Sequence, residues 1–181
     1  MADKTIQQYQ EAVKKAQSLF EKKTKDYGTS WRILRLPSLT DQIFIKAQRI
    51  RTIDLKGQQM INDSIESEFI GILNYSIIAL IQIELNDDTG KEIDYDTAIH
   101  FYEKKCSESL ELMLKKNHDY GEAWRDMRIS SFTDLILMRI MRIRQIEDNR
   151  GNTLVSEGID SNLYDIINYS IFALIKLSEK S

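Results

Sequence analysis

A single cysteine, Cys106, leaves this chain no intrachain disulfide and no thiolate zinc site, which is compatible with a reducing compartment. Proline occurs once and glycine seven times in 181 residues. Little therefore interrupts long helices, while abundant Leu, Ile, Lys, Glu and Gln favour them, so the composition predicts an all-α protein. The net charge of −3 provides no general attraction to nucleic acid or to an anionic membrane. The opening MADKTIQQYQEAVKK lacks the apolar centre of a signal peptide, which points to a cytoplasmic protein. The longest apolar stretch, residues 69 to 83, is broken by Asn74, Tyr75, Ser76 and Gln82 and reads as too short to span a bilayer.

What the chain does have is a second copy of itself. Asp26 and Asp119 each open a 28-residue run, 93 positions apart (119 − 26), and the two runs agree at 14 of 28 positions. From Ile65 and Ile159, at a shift of 94, a further 19-residue run agrees at 10 positions. A module of this size buries only a modest share of its apolar surface, so two copies gain by packing on each other. The expectation is one compact unit, residues 1–88 and 89–181, joined with pseudo-twofold symmetry into a six-helix bundle. Self-association of the ancestral module also leaves a homo-oligomer open.

Each half reads as three helices. The first has apolar residues at helical spacing, Tyr9, Val13, Ala16 and Phe20 in one copy and Tyr102, Cys106, Leu110 and Met113 in the other. Gly28 and Gly121 end it in Asp-Tyr-Gly, where a left-handed residue is wanted. The second helix is read from Ser38 and Ser131, each followed three residues on by an acid, Asp41 or Asp134, in a shortened capping box. The third is read from near Asp63 and Ser156. The polar segment from Leu85 to Ile93 reads as a short hinge between packed halves.

On the third helix, Glu157, Ser161, Asp165 and Asn168 fall within about 80° of one another at 100° per residue, on a surface otherwise apolar. The first copy places Asp63, Ser67, Gly71 and Asn74 there. Asn74 and Asn168 lie inside apolar runs and need partners, because an unsatisfied buried amide costs about 1–3 kcal/mol. Helix two offers cations on one face, Lys46 and Arg49 or Arg139 and Arg142. Two readings stand. The groups form a structural ion network that fixes helix packing, or they form a pocket with the cations on phosphate and the carboxylates on Mg²⁺. The loop element has the same ambiguity. Tyr27 and Trp31, or Tyr120 and Trp124, either anchor the loop or stack on a base while Arg32 or Arg125 touches phosphate.

These residues carry a resemblance. Lys-Asn-His-Asp-Tyr-Gly, a loop, a basic helix and a closing Asp-Ile-Ile-Asn-Tyr resemble the nucleotide-modification-associated domain 1 family in tandem form. The third helix is in turn similar to the acidic helix of MazG-like all-α nucleoside triphosphate pyrophosphohydrolases. The first resemblance implies nucleotide or nucleotide-derivative binding. The second implies Mg²⁺-dependent hydrolysis, with Glu157 and Asp165 catalytic, Glu157, Asp160 and Asp165 on the metal, and Asp119, Tyr120, Trp124, Arg125, Arg139, Arg142, Asn168 and Tyr169 around the substrate. The first-copy counterparts are Asp26, Tyr27, Trp31, Arg32, Lys46, Arg49, Asn74 and Tyr75. Gly71 stands where the third-helix acid belongs, with Glu66 and Glu68 on other faces, so the first copy reads as depleted. Helix two carries Lys or Arg where the hydrolases place Glu-Glu-x-x-Glu, which argues against a full three-metal site. The competing class is a helical scaffold with a purely structural ion network. A nucleic-acid role through helix two fits poorly with so apolar a helix.

Overall fold

The computed structural model describes residues 2–57, 64–86, 90–154 and 157–180. Six long helices follow one another: α1 (Ala2–Tyr27), α2 (Leu36–Lys56), α3 (Ile65–Leu85), α4 (Tyr95–Tyr120), α5 (Ile129–Asp148) and α6 (Ile159–Lys180). A short 3₁₀ turn, Ser30–Ile33 or Ala123–Asp126, separates the first and second helix of each repeat. The chain is all-α among the described residues, as its composition predicts.

The third helices form the centre. α3 packs on α6 and is flanked by α2, while α5 flanks α6 and α2 meets α5. α1 and α4 touch each other, and each touches both central helices. Each of these contacts between long helices thus has a twin under exchange of the repeats, which is the expected pseudo-twofold bundle. Phe69, Ile72, Leu73, Ile77 and Ile81 of α3 and Leu163, Ile166, Ile167 and Ile171 of α6 are fully or almost fully buried. Burying each such side chain contributes about 1.5–3 kcal/mol. By length and composition α3 could cross a membrane, contrary to the expectation from its polar interruptions, but here it is mostly buried in the core.

Gly28 (φ 62°) and Gly121 (φ 59°) close the first helices in the left-handed conformation expected of them. The capping boxes do not form. α2 begins two residues before Ser38 with Pro37 in its first turn, and α5 begins at Ile129, so neither serine occupies a capping position. Asp41 and Asp134 instead make reciprocal ion pairs across the α2–α5 contact, Asp41 with Arg144 at 3.1 Å and Asp134 with Arg51 at 3.7 Å. The side-chain caps lie elsewhere: Ser64 accepts from Ser67 N (3.0 Å) and Asp94 accepts from Thr97 N (2.7 Å). That backbone N–H holds the Asp94 carboxyl below its ordinary value. Asp63 and Ser156, expected near the starts of the third helices, lie outside the described residues.

The connection between repeats is fastened rather than hinged where it is described. Gly90 N donates to Arg32 O (2.8 Å), Arg32 Nε donates to Lys91 O (3.0 Å), and Thr29 Oγ1 exchanges hydrogen bonds with Ile93 (3.0 and 3.1 Å).

Candidate functional site

Cations from the second helix of each repeat do meet acids from the third, but on two different plans. In the second repeat Asp165 is buried, and its carboxylate is held by Arg139 Nη2 (3.1 Å) and Lys116 Nζ (2.6 Å). Arg139 Nη1 also donates to Asn162 Oδ1 (3.2 Å). In the first repeat the acid sits one turn earlier. Glu68 is buried and pairs with Arg49 (3.1 Å) and Lys46 (3.7 Å). Reading Glu68 as facing elsewhere is therefore overturned: it lies three residues before Gly71, and i, i+3 neighbours share a helix face. Arg142, the counterpart of Arg49, is exposed and finds no acid among the described residues, because Asn162 replaces Glu68.

Asn74 and Asn168 find partners on the first helices, not on the cations of helix two. Asn74 Nδ2 donates to Ala16 O (3.1 Å), and Asn74 Oδ1 accepts from Tyr102 Oη (2.7 Å). Asn168 Nδ2 donates to Ser109 O (3.2 Å), and Asn168 Oδ1 accepts from Tyr9 Oη (2.7 Å). Burial pushes both tyrosine hydroxyls well above their ordinary pKa, so they stay neutral donors.

Neither loop arginine is presented to a ligand. Arg32 is buried beneath the connection and bonds Gln82 and the Lys91 carbonyl. Arg125 donates to Thr5 Oγ1 (2.7 Å) and Gln8 Oε1 (2.8 Å) of α1 and pairs with Glu179 (3.3 Å), clamping one repeat to the other. Asp26, Tyr27, Asp119 and Tyr120 are exposed. Trp124 is buried face to face with Phe172, centroids 4.3 Å apart and planes 7° apart. Trp31 is only half-buried and meets Phe20 at 6.3 Å.

The consequence is an asymmetric pair. Beside Trp31 the first repeat opens a cavity of about 570 Å³, walled by Phe20, Tyr27, Trp31 and Tyr75 and edged by Lys23, Lys46, Glu68, Gly71 and Asn74. Lys46 also sits 5.8 Å from the centre of the Tyr75 ring. The copy that reads as depleted thus has room for a ligand, and Gly71 and Ile78, which stand in place of Asp165 and Phe172, both line it. Sequence reasoning set Glu68 aside and passed over Lys23, Lys116 and Ile78. The signal for them was in the repeat alignment, where Lys23 pairs with Lys116 and Ile78 with Phe172.

The described residues do not make a Mg²⁺ site. Glu157 precedes α6 and is exposed, Asp160 is exposed, and Asp165 is already neutralised by two cations. Among the described residues no three His, Cys, Asp or Glu side chains gather where a metal could sit.

No curated protein and no solved structure matches the chain. The family model of nucleotide modification associated domain 1 matches it twice, over residues 23–83 and 116–177. The two segments start 93 residues apart (116 − 23) and end 94 apart (177 − 83), the same shifts that relate the internal copies. The chain therefore belongs to the nucleotide modification associated domain 1 family and carries that domain in tandem.

Proposed function

We propose that the first-repeat cavity binds a nucleotide or nucleotide derivative. The observation that carries this reading is the conjunction in one cavity of aromatic side chains, Tyr27, Trp31 and Tyr75, with the ammonium groups of Lys23 and Lys46. Planar side chains offer a base a stacking surface contributing about 1–3 kcal/mol, and ammonium groups give phosphate oxygens charge-assisted hydrogen bonds. The family's association with nucleotide modification agrees with it. Binding rather than hydrolysis is proposed, since the donor set for Mg²⁺ is missing among the described residues.

The reading is tested by a melting-temperature screen against nucleosides and their mono-, di- and triphosphates, each with Mg²⁺ and with a chelator. A ligand that binds only the folded chain raises the midpoint in proportion to ln(1 + [L]/Kd). Fluorescence of a Trp124→Phe variant, in which Trp31 alone reports, should be quenched by the same ligands. A flat screen with unchanged Trp31 emission would leave the competing scaffold reading in place.

A further inference from the structure

We infer that the second repeat carries a built-in imitation of the ligand that the first repeat binds, and that this ligand is a nucleoside monophosphate taken up without metal. The inference rests on the nucleotide-binding reading above and narrows it.

The two repeats share the surroundings and differ in what fills them. In the second repeat a planar ring, Phe172, lies flat on Trp124, and a carboxylate, Asp165, lies between Lys116 and Arg139. In the first repeat the counterparts of the receiving groups are all retained, as Trp31, Lys23 and Lys46. The counterparts of the two fillers are missing. Ile78 replaces the ring and Gly71 replaces the carboxylate, and both line the cavity. Lys46 reaches over the bare Gly71: a Cβ added there would stand 2.9 Å from Lys46 Cδ and Cε and 3.2 Å from Nζ. Lys23 meets no carboxylate among the described residues, although its twin Lys116 makes the shortest ion pair in the second-repeat network. Glu68 already serves Lys46 and Arg49 from the preceding turn, so an outside anion would answer Lys23 and an outside ring would lie on Trp31, as Asp165 and Phe172 answer Lys116 and Trp124 in the second repeat.

The spacing and charge of the fillers define the molecule. Asp165 and Phe172 are seven residues apart on one helix, roughly 10 Å along its axis, so the molecule carries its ring and its anion at opposite ends of a spacer. Lys23 and Lys46 line the cavity with Glu68, so its lining carries a surplus of positive charge that suits one phosphate group. A triphosphate would bring further negative charge and normally a metal, for which no acid cluster is present among the described residues.

The test is calorimetric titration of the full chain, in a chelator, with the 5′-monophosphates of adenosine, guanosine, cytidine, uridine and thymidine. The parent nucleosides, inorganic phosphate and the triphosphates with Mg²⁺ are run beside them. At least one monophosphate should bind ten-fold or more tightly than both its nucleoside and its Mg²⁺-triphosphate. Gly71→Asp should weaken it at least ten-fold while raising or preserving the melting temperature, since it supplies the carboxylate that serves Lys116 in the second repeat and only the flexible end of Lys46 must move. Should Gly71→Asp fail to fold, Lys23→Ala gives the same reading, because Lys23 supports no structural contact with an acid among the described residues. A Mg²⁺-triphosphate that outbinds every monophosphate overturns this inference and leaves nucleotide binding standing. Binding indifferent to Gly71→Asp and Lys23→Ala in folded variants places the ligand elsewhere and overturns the imitation. Absence of all nucleotide binding overturns both.

Discussion

Tyr102, from the first helix of the second repeat, donates its hydroxyl to Asn74 Oδ1 on the third helix of the first repeat, at 2.7 Å inside the core. The reciprocal bond, Tyr9 to Asn168, has the same length. The repeats are therefore laced by two buried bonds that neither half can make alone. Each amide spends its remaining donor on a first-helix carbonyl of its own repeat. What looked in sequence like a ligand-facing Asn is a staple, even where Asn74 also borders the cavity.

Tyr102→Phe and Tyr9→Phe should each destabilise the chain by about 1–3 kcal/mol, because the ring still fits but an amide oxygen is left buried without a donor. Urea denaturation measures this, and equal losses for the two variants are expected from their equivalent settings. A loss below 0.3 kcal/mol in both, roughly the uncertainty of such comparisons, would mean that water or another group replaces the hydroxyl.

The second-repeat ion network separates from the exposed cation beside it. Arg139→Ala leaves Asp165 with Lys116 alone and should cost about 2–3 kcal/mol, short of the figure for a fully buried pair because Lys116 is half exposed. Arg142→Ala, on a side chain that meets no acid among the described residues, should lie within about 0.5 kcal/mol of the parent. A reversal of that order in urea midpoints would contradict the assignment of the two arginines.

How much of this was legible in the sequence depends on the range of the signal. The fold was, because the repeat, the helical spacing of Tyr9, Ala16 and Phe20, and Gly28 and Gly121 are local patterns. The meeting of helix-two cations with helix-three acids was also legible, since i, i+3 and i, i+4 positions share a face. Which acid meets which cation was not. Glu68 was set aside because the polar band was drawn through Gly71, whereas Lys46 and Arg49 reach along the helix to the preceding turn. The sequence leaves Arg32 and Arg125 open between loop anchoring and phosphate contact because their partners, Gln82, Lys91, Thr5 and Gln8, are distant in sequence. The first capping box failed for a local reason: Pro37 favours the first turn of a helix, so α2 begins before Ser38. Space itself has no sequence signature, and only Gly71 and Ile78 against Asp165 and Phe172 hinted that the first repeat would be the open one.

Cys106 gives an independent check on the α4 seat. Its thiol is buried, and burial, with Glu103 adding to it, pushes its pKa to about 12. Thiolate is the reactive form, so iodoacetamide or a disulfide reagent at neutral pH should label the native chain at least a hundred-fold more slowly than the chain in urea. Rapid native labelling would mean that α4 is not packed as described.

Glu147, in the last turn of α5, is poorly placed for a carboxylate, and pH should reveal it. Its Oε1 is buried without a partner among the described residues. Burial first, then the nearby charges of Asp41 and Asp148, raise its pKa from the ordinary 4.5, against a smaller opposing pull from Arg144. The negative end of the α5 dipole acts in the same direction. A carboxyl with a raised folded pKa holds its proton more tightly folded than unfolded, so its contribution favours folding below 4.5 and is lost as pH climbs through the folded value. Glu84 and Asp94 have lowered pKa values and contribute with the opposite sign, so the total pH profile hides the effect of one residue. The difference between Glu147→Gln and the parent isolates it. The variant should show no gain in melting temperature at about pH 4 and a clear gain at about pH 8, where the parent must keep a charge in a buried, acidic corner. A gain that is equal at both pH values would mean that packing, not ionisation, sets the cost of Glu147.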